Sequence, residues 1–593
     1  MLDGLRAPVK CHWQGVAAVL CAFGCVGVAH VRVASGSNRT SVTPRSPVSG
    51  TIYVLPRHPV YELLDRLQTK GLLPHAPLST KPWTRMRIAD ALLSIPPDSP
   101  VLTETDRAQW RFYAGEFADE IVALGADSIF RSVPPAWWSA RADHREPWLR
   151  PFLTYHADDL QGRIWVAGGL SAEGDTSVTY RRHAEIGGWL LLGEHWGAQA
   201  AMRDVAVWGD DVAPPPPFGP ERGVASIGGD TSTTIFYDDT EAMVTFADRR
   251  FTVSVGQYPL VFGPGRHAQV ILSDNAPPLP QVRLSVHPWP WFTFTYVHMS
   301  LQSGVPDTST YWHRQFPAAT GYVTKFYAAQ RLEFTAIRGI DLAAGESVVY
   351  GGRGPVLRYM IPVVPFRAAQ HDEGNLDNLQ MWGDISVARL PWTKLYGALF
   401  MDELSLSTLF SRDNIHNWWA WQIGLAVADV WGFVPDLDFG VEYTRAHPWV
   451  YHHRYPWNTY DTWAFRDNDA VVAYPLGFWQ GHNGDYVHAD LSWRPRRNIK
   501  LTVWASQARR GGEGTVDEQY YPPAEPSLFG PVTRTREARL DCEWEPVRDL
   551  VVRAGIGLAE RRYTPDATAS AQGDVASRRR WTTANVGVTY NVW

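Results

Sequence analysis

The stretch LDFGVEYT (residues 437–444) decides the fold, because apolar and polar side chains alternate along it without a break. An extended chain with this period has one apolar and one polar face. The stretches RLDCEW (539–544) and VRAGIGL (552–558) repeat the pattern. Strands of this kind suit a barrel wall between lipid and a polar lumen. The period holds from about residue 150 onward, so we predict a transmembrane β-barrel over residues 150–593.

The connections between these predicted strands alternate in length. Counting back from the C-terminus, tight turns alternate with long polar segments at 563–579, 509–532 and 446–483. We predict the tight turns at 546–549, 494–497, 434–436, 390–392, 338–339, 287–290 and 247–249. Outer-membrane barrels have short periplasmic turns and long extracellular loops. The pattern therefore predicts an all-β barrel of about 18 antiparallel strands, with its long loops outside the cell.

The composition narrows the class of protein further. The chain has 593 residues and a formal net charge of -6, which argues against a nucleic-acid partner. It also has 28 Trp and 24 Tyr. These side chains favour membrane–water interfaces, although carbohydrate-binding proteins are rich in them too.

The N-terminus has the pattern of a signal peptide over residues 1–35. Arg6 and Lys10 precede an apolar stretch, and small residues allow cleavage after Ala29 or Ser35. The alternative is a single N-terminal membrane anchor, but the stretch is shorter than the roughly 20 residues of a span. Three of the four cysteines lie in this segment, so a processed chain would keep only Cys542 and form no internal disulfide.

A helical segment separates this leader from the barrel. Residues 36–50 are polar and rich in Pro and Ser, as a linker is. In VYELLDRL (60–67) the apolar residues then recur with helical spacing, and two further short amphipathic segments follow. We predict a small α-helical bundle over residues 51–130.

Several segments resemble one family of membrane proteins. They are VYELLDRLQTKGLLP (60–74), GPGRHAQVILSDNAPPLPQVRLS (263–285), QRLEFTAIRGIDLAAGESVVYGGRG (330–354) with RYMIPVVPF (358–366), LYGALFMDEL (395–404) and YPLGFWQGHNGDYVHADLSWRP (474–495). In these segments, which run in order over most of the mature chain, the sequence resembles the capsule-assembly Wzi family of outer-membrane proteins. Gln330 departs from the pattern, where a His is expected.

The resemblance implies a fold, a place and a role. The fold is an outer-membrane barrel of about eighteen strands with a helical bundle in the periplasm. The role is non-enzymatic, namely holding or organising extracellular polysaccharide at the cell surface. The partners would be that polysaccharide, outer-membrane lipid and lipopolysaccharide, and the barrel-assembly machinery. That machinery recognises aromatic C-termini, and this chain ends in Trp593. The alternation of the last strand, however, places Trp593 on the polar face.

Motifs for catalysis or cofactor binding are weak. GPGRHA (263–268) fits a loose dinucleotide fingerprint, but the prolines that follow exclude the required helix. We predict a loop there that packs tightly or folds back into the lumen. His371, Asp372 and Glu373, with Asp377, imitate a cation site, although a solvated acidic loop explains them better. The chain has no G-x-S-x-G and no H-E-x-x-H, so we predict no catalytic residue, cofactor or metal ligand.

Two aromatic clusters and one basic run remain as binding candidates. NWWAW (417–421) suits the aromatic girdle of a barrel better than a sugar site. The second cluster lies deep in a long predicted loop, where sugar contact and plain loop packing explain it equally well. The candidate polysaccharide contacts there are Trp449, Tyr451, His452, His453, Arg454, Tyr455 and Trp457. The run Arg578–Arg580 at a loop end suits acidic polysaccharide or lipopolysaccharide phosphates.

Other functions stay open at this point. The main alternative is a porin-like channel for small solutes, which needs an open lumen. A barrel hydrolase acting on lipid or glycan and a soluble secreted sugar-binding protein are two others.

Overall fold

The computed structural model describes ten stretches of the chain. They are residues 50–126, 153–156, 159–175, 177–210, 212–231, 233–310, 321–403, 418–466, 469–514 and 526–590. The predicted signal peptide, nearly all of the predicted linker and Trp593 lie outside the described residues. Within these stretches, no helix is long and apolar enough to cross a membrane.

Eighteen long antiparallel strands form a closed barrel. They are β1 (Leu160–Gly174), β2 (Val178–Leu192), β3 (Trp196–Gly209), β4 (Thr234–Ala247), β5 (Phe251–Tyr258), β6 (Leu279–Trp289), β7 (Phe292–Pro306), β8 (Tyr322–Ile337), β9 (Ile340–Gly351), β10 (Asn378–Leu390), β11 (Thr393–Glu403), β12 (Trp418–Val427), β13 (Leu437–Ala446), β14 (Gly484–Arg496), β15 (Ile499–Arg510), β16 (Val532–Val547), β17 (Leu550–Thr564) and β18 (Ser577–Tyr590). The register from Ala584↔Gly174 to Tyr590↔Gly168 closes β18 onto β1. Two short strands, Leu153–His156 and Gly228–Thr231, pair with β1 and β4. The predicted fold and strand number are confirmed.

Connection lengths separate the two ends of the barrel. The short-turn end carries residues 193–195, 248–250, 290–291, 338–339, 391–392, 428–436, 497–498 and 548–549. The long-loop end carries 175–177, 210–233, 259–278, 307–321, 352–377, 447–483, 511–531 and 565–576, and the connection 404–417 lies outside the described residues. Two connections depart from the rule that short turns lie at one end and long loops at the other. Residues 175–177 are tight at the long-loop end, and 428–436 are longer than the turn predicted at 434–436.

Alternation along each strand sorts side chains between the two faces of the wall. In β17, Ile556 and Leu558 are 56% and 66% exposed and point outward. Gly555 and Gly557 point to the lumen, where Gly557 is enclosed by the Arg539 and Thr583 side chains. The apolar faces that the sequence predicts therefore lie on the outside of the barrel, as lipid requires.

A helical bundle precedes the barrel. Its helices are α1 (Val60–Thr69), α2 (Arg85–Leu93), α3 (Glu104–Glu116) and α4 (Ala118–Ala123), and the short strands Tyr53–Val54 and Trp83–Thr84 pair beside them. Thr103 and Asp106 form a capping box at the start of α3. The helices bury one shared core, which includes Val60, Leu64, Leu67, Ile88, Leu92, Ala114, Phe117 and Ile121. The third predicted helix is broken in two at Phe117, whose backbone is not helical.

The bundle is seated in the short-turn end of the barrel. Polar contacts tie it to strands around the whole mouth: Arg163–Asp119 at 2.6 Å (β1), Arg57–Glu241 at 3.2 Å (β4), Gln68–Asp341 at 2.7 Å (β9), Lys394–Asp65 at 2.6 Å (β11) and Lys500–Glu62 at 2.9 Å (β15). Because these strands are spread around the barrel, the bundle lies across its opening. A polar cavity of about 770 Å³ remains between bundle and wall.

Two long-loop-end connections fold back into the lumen. Inner loop 1 (259–278) contains the strand Val261–Phe262, which pairs with Thr80–Lys81 ahead of α2. Inner loop 2 (447–483) contains a hairpin, Asp461–Arg466 with Asp469–Pro475. Both pack against lumen-facing wall residues in one apolar core, which includes Phe262, Val270, Ile271, Leu272, Tyr327, Val349, Phe400, Ala420, Val450, Leu476 and Phe478. The predicted fold-back of residues 263–268 is thus observed.

A third connection lies against the outside of the wall. Within 352–377, α5 (Leu357–Met360) and α6 (Phe366–Asp372) cover outward-facing residues that include Tyr296, Ala328, Val348 and Tyr350. The Gln330 side chain donates to the Val364 carbonyl at 2.7 Å. The departure at Gln330 therefore has a structural role, since this segment shields a polar side chain on the lipid-facing wall. The loop 565–576 carries the last helix, α7 (Ala567–Ala571).

Candidate functional site

The first two candidate contacts, Trp449 and Tyr451, lie inside the barrel. Both are buried in the inner-loop core, which is the apolar core that the two inner loops form with the wall. Both also have left-handed backbone, with φ of 69° and 72°, which costs a bulky residue about 1–2 kcal/mol. The Tyr451 amide donates to Asp402 and its hydroxyl to the Val270 carbonyl, each at 2.6 Å. The two rings therefore face the inside of the barrel, away from any ligand in solution.

His452 lies beside the buried His482 and the exposed Glu513. Burial and the neighbouring His482 ring lower the pKa of His452 to about 3, so it is neutral at pH 7. These three residues bring possible metal-ligand atoms within 4.8 Å of one another. The Trp449 amide, however, donates to His482 Nδ1 at 3.1 Å, which places the imidazole proton on Nε2, toward Glu513. A ring nitrogen that carries a proton cannot ligate a metal, so this arrangement disfavours a metal site. Nε2 and the Glu513 carboxylate are 3.6 Å apart, which is too far for a hydrogen bond.

A second group of possible ligands, His267, His488 and Asp490, borders the polar cavity. The two imidazoles stack with ring centroids 3.6 Å apart, and His267 Nε2 lies 3.2 Å from Asp490. Arg266 places a permanent positive charge beside the same carboxylate. A cation would have to compete with this arginine, so we assign the group no metal.

The remaining candidates form a surface at the long-loop end, here called the aromatic ledge (His453, Arg454, Tyr455 and Trp457). The Tyr455 and Trp457 rings stack with centroids 5.4 Å apart and planes 16° apart. The Arg454 guanidinium lies over the Tyr455 ring, 4.9 Å from its centroid. Burial and the adjacent Arg454 lower the pKa of His453 to about 4. At pH 7 the ledge therefore offers flat ring faces, one neutral imidazole and one positive charge.

The ledge is held rigidly on the ends of the neighbouring strands. Trp457 lies against Gly351 and Gly352, and a Cβ added to Gly351 would come within 3.0 Å of its ring. The Asn458 side chain donates to the Leu376 carbonyl at 3.0 Å, and the buried Lys325 contacts Asp461 at 2.6 Å. The two glycines were not predicted from the sequence as part of this surface. They lie in the segment 330–354, which resembles the Wzi family, and this resemblance could have indicated them.

Two of the acidic residues that imitate a cation site form ion pairs with arginines instead. Asp377 pairs with Arg353 at 2.6 Å and accepts the Tyr359 hydroxyl at 2.7 Å. Glu373 pairs with Arg358 at 2.5 Å. These ion pairs hold the 352–377 connection together beside the aromatic ledge.

The glycine-rich stretch 263–268 binds a carboxylate of the chain itself. The amides of Arg266, His267 and Ala268 donate to Glu442 on β13, at 2.7, 3.2 and 2.9 Å. The Tyr396 hydroxyl donates to the same carboxylate at 2.8 Å. Backbone amides that could cradle a phosphate are therefore taken, and the stretch anchors inner loop 1 to the wall.

The other aromatic cluster lies in the wall. Alternation along β12 places Trp419 and Trp421 on the outward face, and Trp418 packs into the inner core. At the short-turn end, Trp289 and Trp291 stack with centroids 5.3 Å apart and are exposed. These positions suit an aromatic girdle at a membrane interface, as predicted for the cluster.

Comparison with known proteins places this geometry in a family. A family model described as capsule assembly protein Wzi matches residues 238–575. The chain belongs to the Wzi capsule-assembly family. No curated protein matches the chain.

A solved structure shares the Wzi-family fold. It is that of Wzi from Escherichia coli, described as an outer-membrane protein involved in group 1 capsule assembly and a carbohydrate-binding β-barrel. The TM-score is 0.51 at 14% identity, and the match covers 91% of this chain and 99% of that chain. The chain is also similar to OprD from Pseudomonas aeruginosa, with a TM-score of 0.37 at 9% identity over 72% of this chain and 94% of that chain. The family match and the fold shared with Wzi make the chain a β-barrel of the outer-membrane type.

Proposed function

We propose that this protein attaches or organises capsular or other extracellular polysaccharide at the cell surface, without catalysis. The observation that carries the proposal is the aromatic ledge, a rigid, stacked and partly exposed pair of rings beside an arginine. Sugars bind by stacking their apolar faces on such rings, while polar neighbours bond their hydroxyls. A positive charge next to the rings favours an acidic polymer.

The proposal gives the barrel an orientation. The long-loop end faces the outside of the cell and the bundle faces the periplasm, as in other barrels with this parity of connections. The proposed partners are extracellular polysaccharide, outer-membrane lipid and lipopolysaccharide, and the barrel-assembly machinery during biogenesis. Of the seven contacts predicted from the sequence, we now propose His453, Arg454, Tyr455 and Trp457, because they are at least partly accessible and form one surface. His452 instead packs against the buried His482.

Replacing both ledge rings tests this assignment. We expect Tyr455→Ala with Trp457→Ala to weaken binding of the purified protein to polysaccharide from the host's surface by at least about tenfold, because two stacking faces are lost. Binding is measured by glycan retention on the immobilised full-length protein.

The matched control is Trp289→Ala with Trp291→Ala, a stacked pair at the short-turn end. It should bind polysaccharide as the unaltered protein does. Equal binding by the ledge variant, or equal loss in both variants, would remove the ledge from the proposed function.

A further inference from the structure

Arginines line up across three neighbouring strands on the outer face of the barrel. Arg534 on β16 lies directly opposite Arg562 on β17, and Arg562 lies directly opposite Arg578 on β18. One step nearer the wall centre, Arg536, Glu560 and Arg580 form the next row. Together these residues, here called the arginine rows, are five arginines and one glutamate.

The parity of each strand places the arginine rows on the lipid side. Leu540, Ile556, Leu558 and Val586 mark the outward face and are exposed. Arg536, Glu560 and Arg580 share that parity and lie beyond the apolar residues toward the long-loop end. The arginine rows therefore lie at the edge of the apolar belt on the long-loop side. Near this edge a charged side chain on the lipid face destabilises a barrel much less than it does at the bilayer midplane.

This arrangement costs stability in the isolated chain. Directly opposed residues on neighbouring strands have Cβ atoms about 5 Å apart, and like charges there repel. Glu560 offsets part of the charge, because it pairs with Arg578 and Arg580 at 2.6 Å each. In the part of the chain that the structure describes, no carboxylate pairs with Arg534, Arg536 or Arg562. The Arg534 Nε atom is buried and has no hydrogen-bond partner there.

We propose that the arginine rows bind the phosphates of an outer-leaflet glycolipid, with its acyl chains on the apolar wall below. Arginine forms bidentate hydrogen bonds with phosphate oxygens, and a phosphate between opposed guanidinium groups removes their repulsion. The exposed strip of Leu540, Ile556, Leu558 and Val586 provides the surface on which acyl chains can lie. This inference deepens the lipid contact proposed above and does not depend on sugar binding by the aromatic ledge.

The test compares two pairs of arginines that differ in the face they occupy. Arg562 and Arg578 are opposed on the outer face, and Arg561 and Arg579 are opposed on the lumen side of the same two strands. We expect Arg562→Gln with Arg578→Gln to weaken binding of bisphosphorylated lipid A by about tenfold or more, since two charge-assisted contacts are lost. Arg561→Gln with Arg579→Gln should change it less than about twofold. Native mass spectrometry of the detergent-purified full-length protein measures both, and heat-modifiable gel mobility confirms that each variant is folded.

Two further probes identify the ligand chemistry. Lipid A without phosphates should bind the unaltered protein and the outer-face variant equally weakly. The proposal is overturned if the two pairs lose affinity equally or not at all, or if the outer-face variant loses dephosphorylated lipid A just as strongly. A loss confined to acidic polysaccharide would also overturn it, by assigning the arginine rows to that polymer instead.

Discussion

The unaltered protein should pass no current in a planar bilayer, and removing both the helical bundle and inner loop 2 should open it. The bundle lies across the short-turn end, and the inner-loop core fills the lumen beyond it. Ions must pass both in turn. We therefore expect deletion of 448–482 alone, or of 51–126 alone, to leave the barrel silent. The double deletion also removes both partners of inner loop 1, the strand Thr80–Lys81 and inner loop 2. It should therefore give discrete open steps, measured by single-channel recording.

The loop deletion can be made without straining the wall. The Asn483 amide donates to the His447 carbonyl at 3.2 Å, and Ala446 is paired with Gly484. Two glycines in place of 448–482 would therefore close β13 and β14 as a hairpin. Steady open steps from the unaltered protein would contradict closure by the bundle and the inner-loop core and would favour the porin-like alternative.

Arg66→Ala should loosen the attachment of the bundle to the barrel. The Arg66 guanidinium, 10% exposed, contacts Asp106 at 2.7 Å within the bundle and Asp429 and Asp436 at 2.6 and 3.2 Å on the 428–436 connection. It also contacts Asp438 on β13. Without it, buried carboxylates face one another across the junction, with Lys70 as the nearest remaining cation. Breaking a buried ion pair on one side costs about 3–5 kcal/mol.

The measurement is hydrogen exchange of α1 and α3 in the folded barrel. The variant should lower the free energy of local opening there and leave the wall strands unchanged. Burial would raise the pKa of Asp106, but Arg66 and Lys70 hold it below its usual value, so its charge persists at pH 7. Arg163→Ala is the control, since its pair with Asp119 also joins bundle and wall but is more exposed. That pair should contribute less than about 1 kcal/mol. Equal exchange in both variants would refute the anchoring role of Arg66.

The wall could be predicted from the sequence because its signals are local. Alternation in β13, β16 and β17 and the tight turns at 338–339 and 548–549 each depend on residues close together in the chain. The bundle was predictable for the same reason, from the helical spacing in α1 and the capping pair at the start of α3.

The filling of the lumen depends on contacts between distant residues, which one sequence does not reveal. Trp449 and Tyr451 look like exposed loop aromatics, yet both are buried in the inner-loop core, where Tyr451 packs against Phe400 and Trp449 against Phe529. The glycine-rich stretch 263–268 resembles a phosphate loop until Glu442, from β13, occupies its amides. Alternation could assign Arg562 and Arg578 to the outer face, but only the strand register opposes them.

We propose above that this barrel keeps polysaccharide on the cell. Deleting its gene in the host, and measuring total, cell-bound and released polymer, tests this function. We expect unchanged total polymer, with most of it shed into the medium, and return to the cell surface when the full chain is restored. Cell-bound polymer that stays unchanged after deletion would rule the proposed function out.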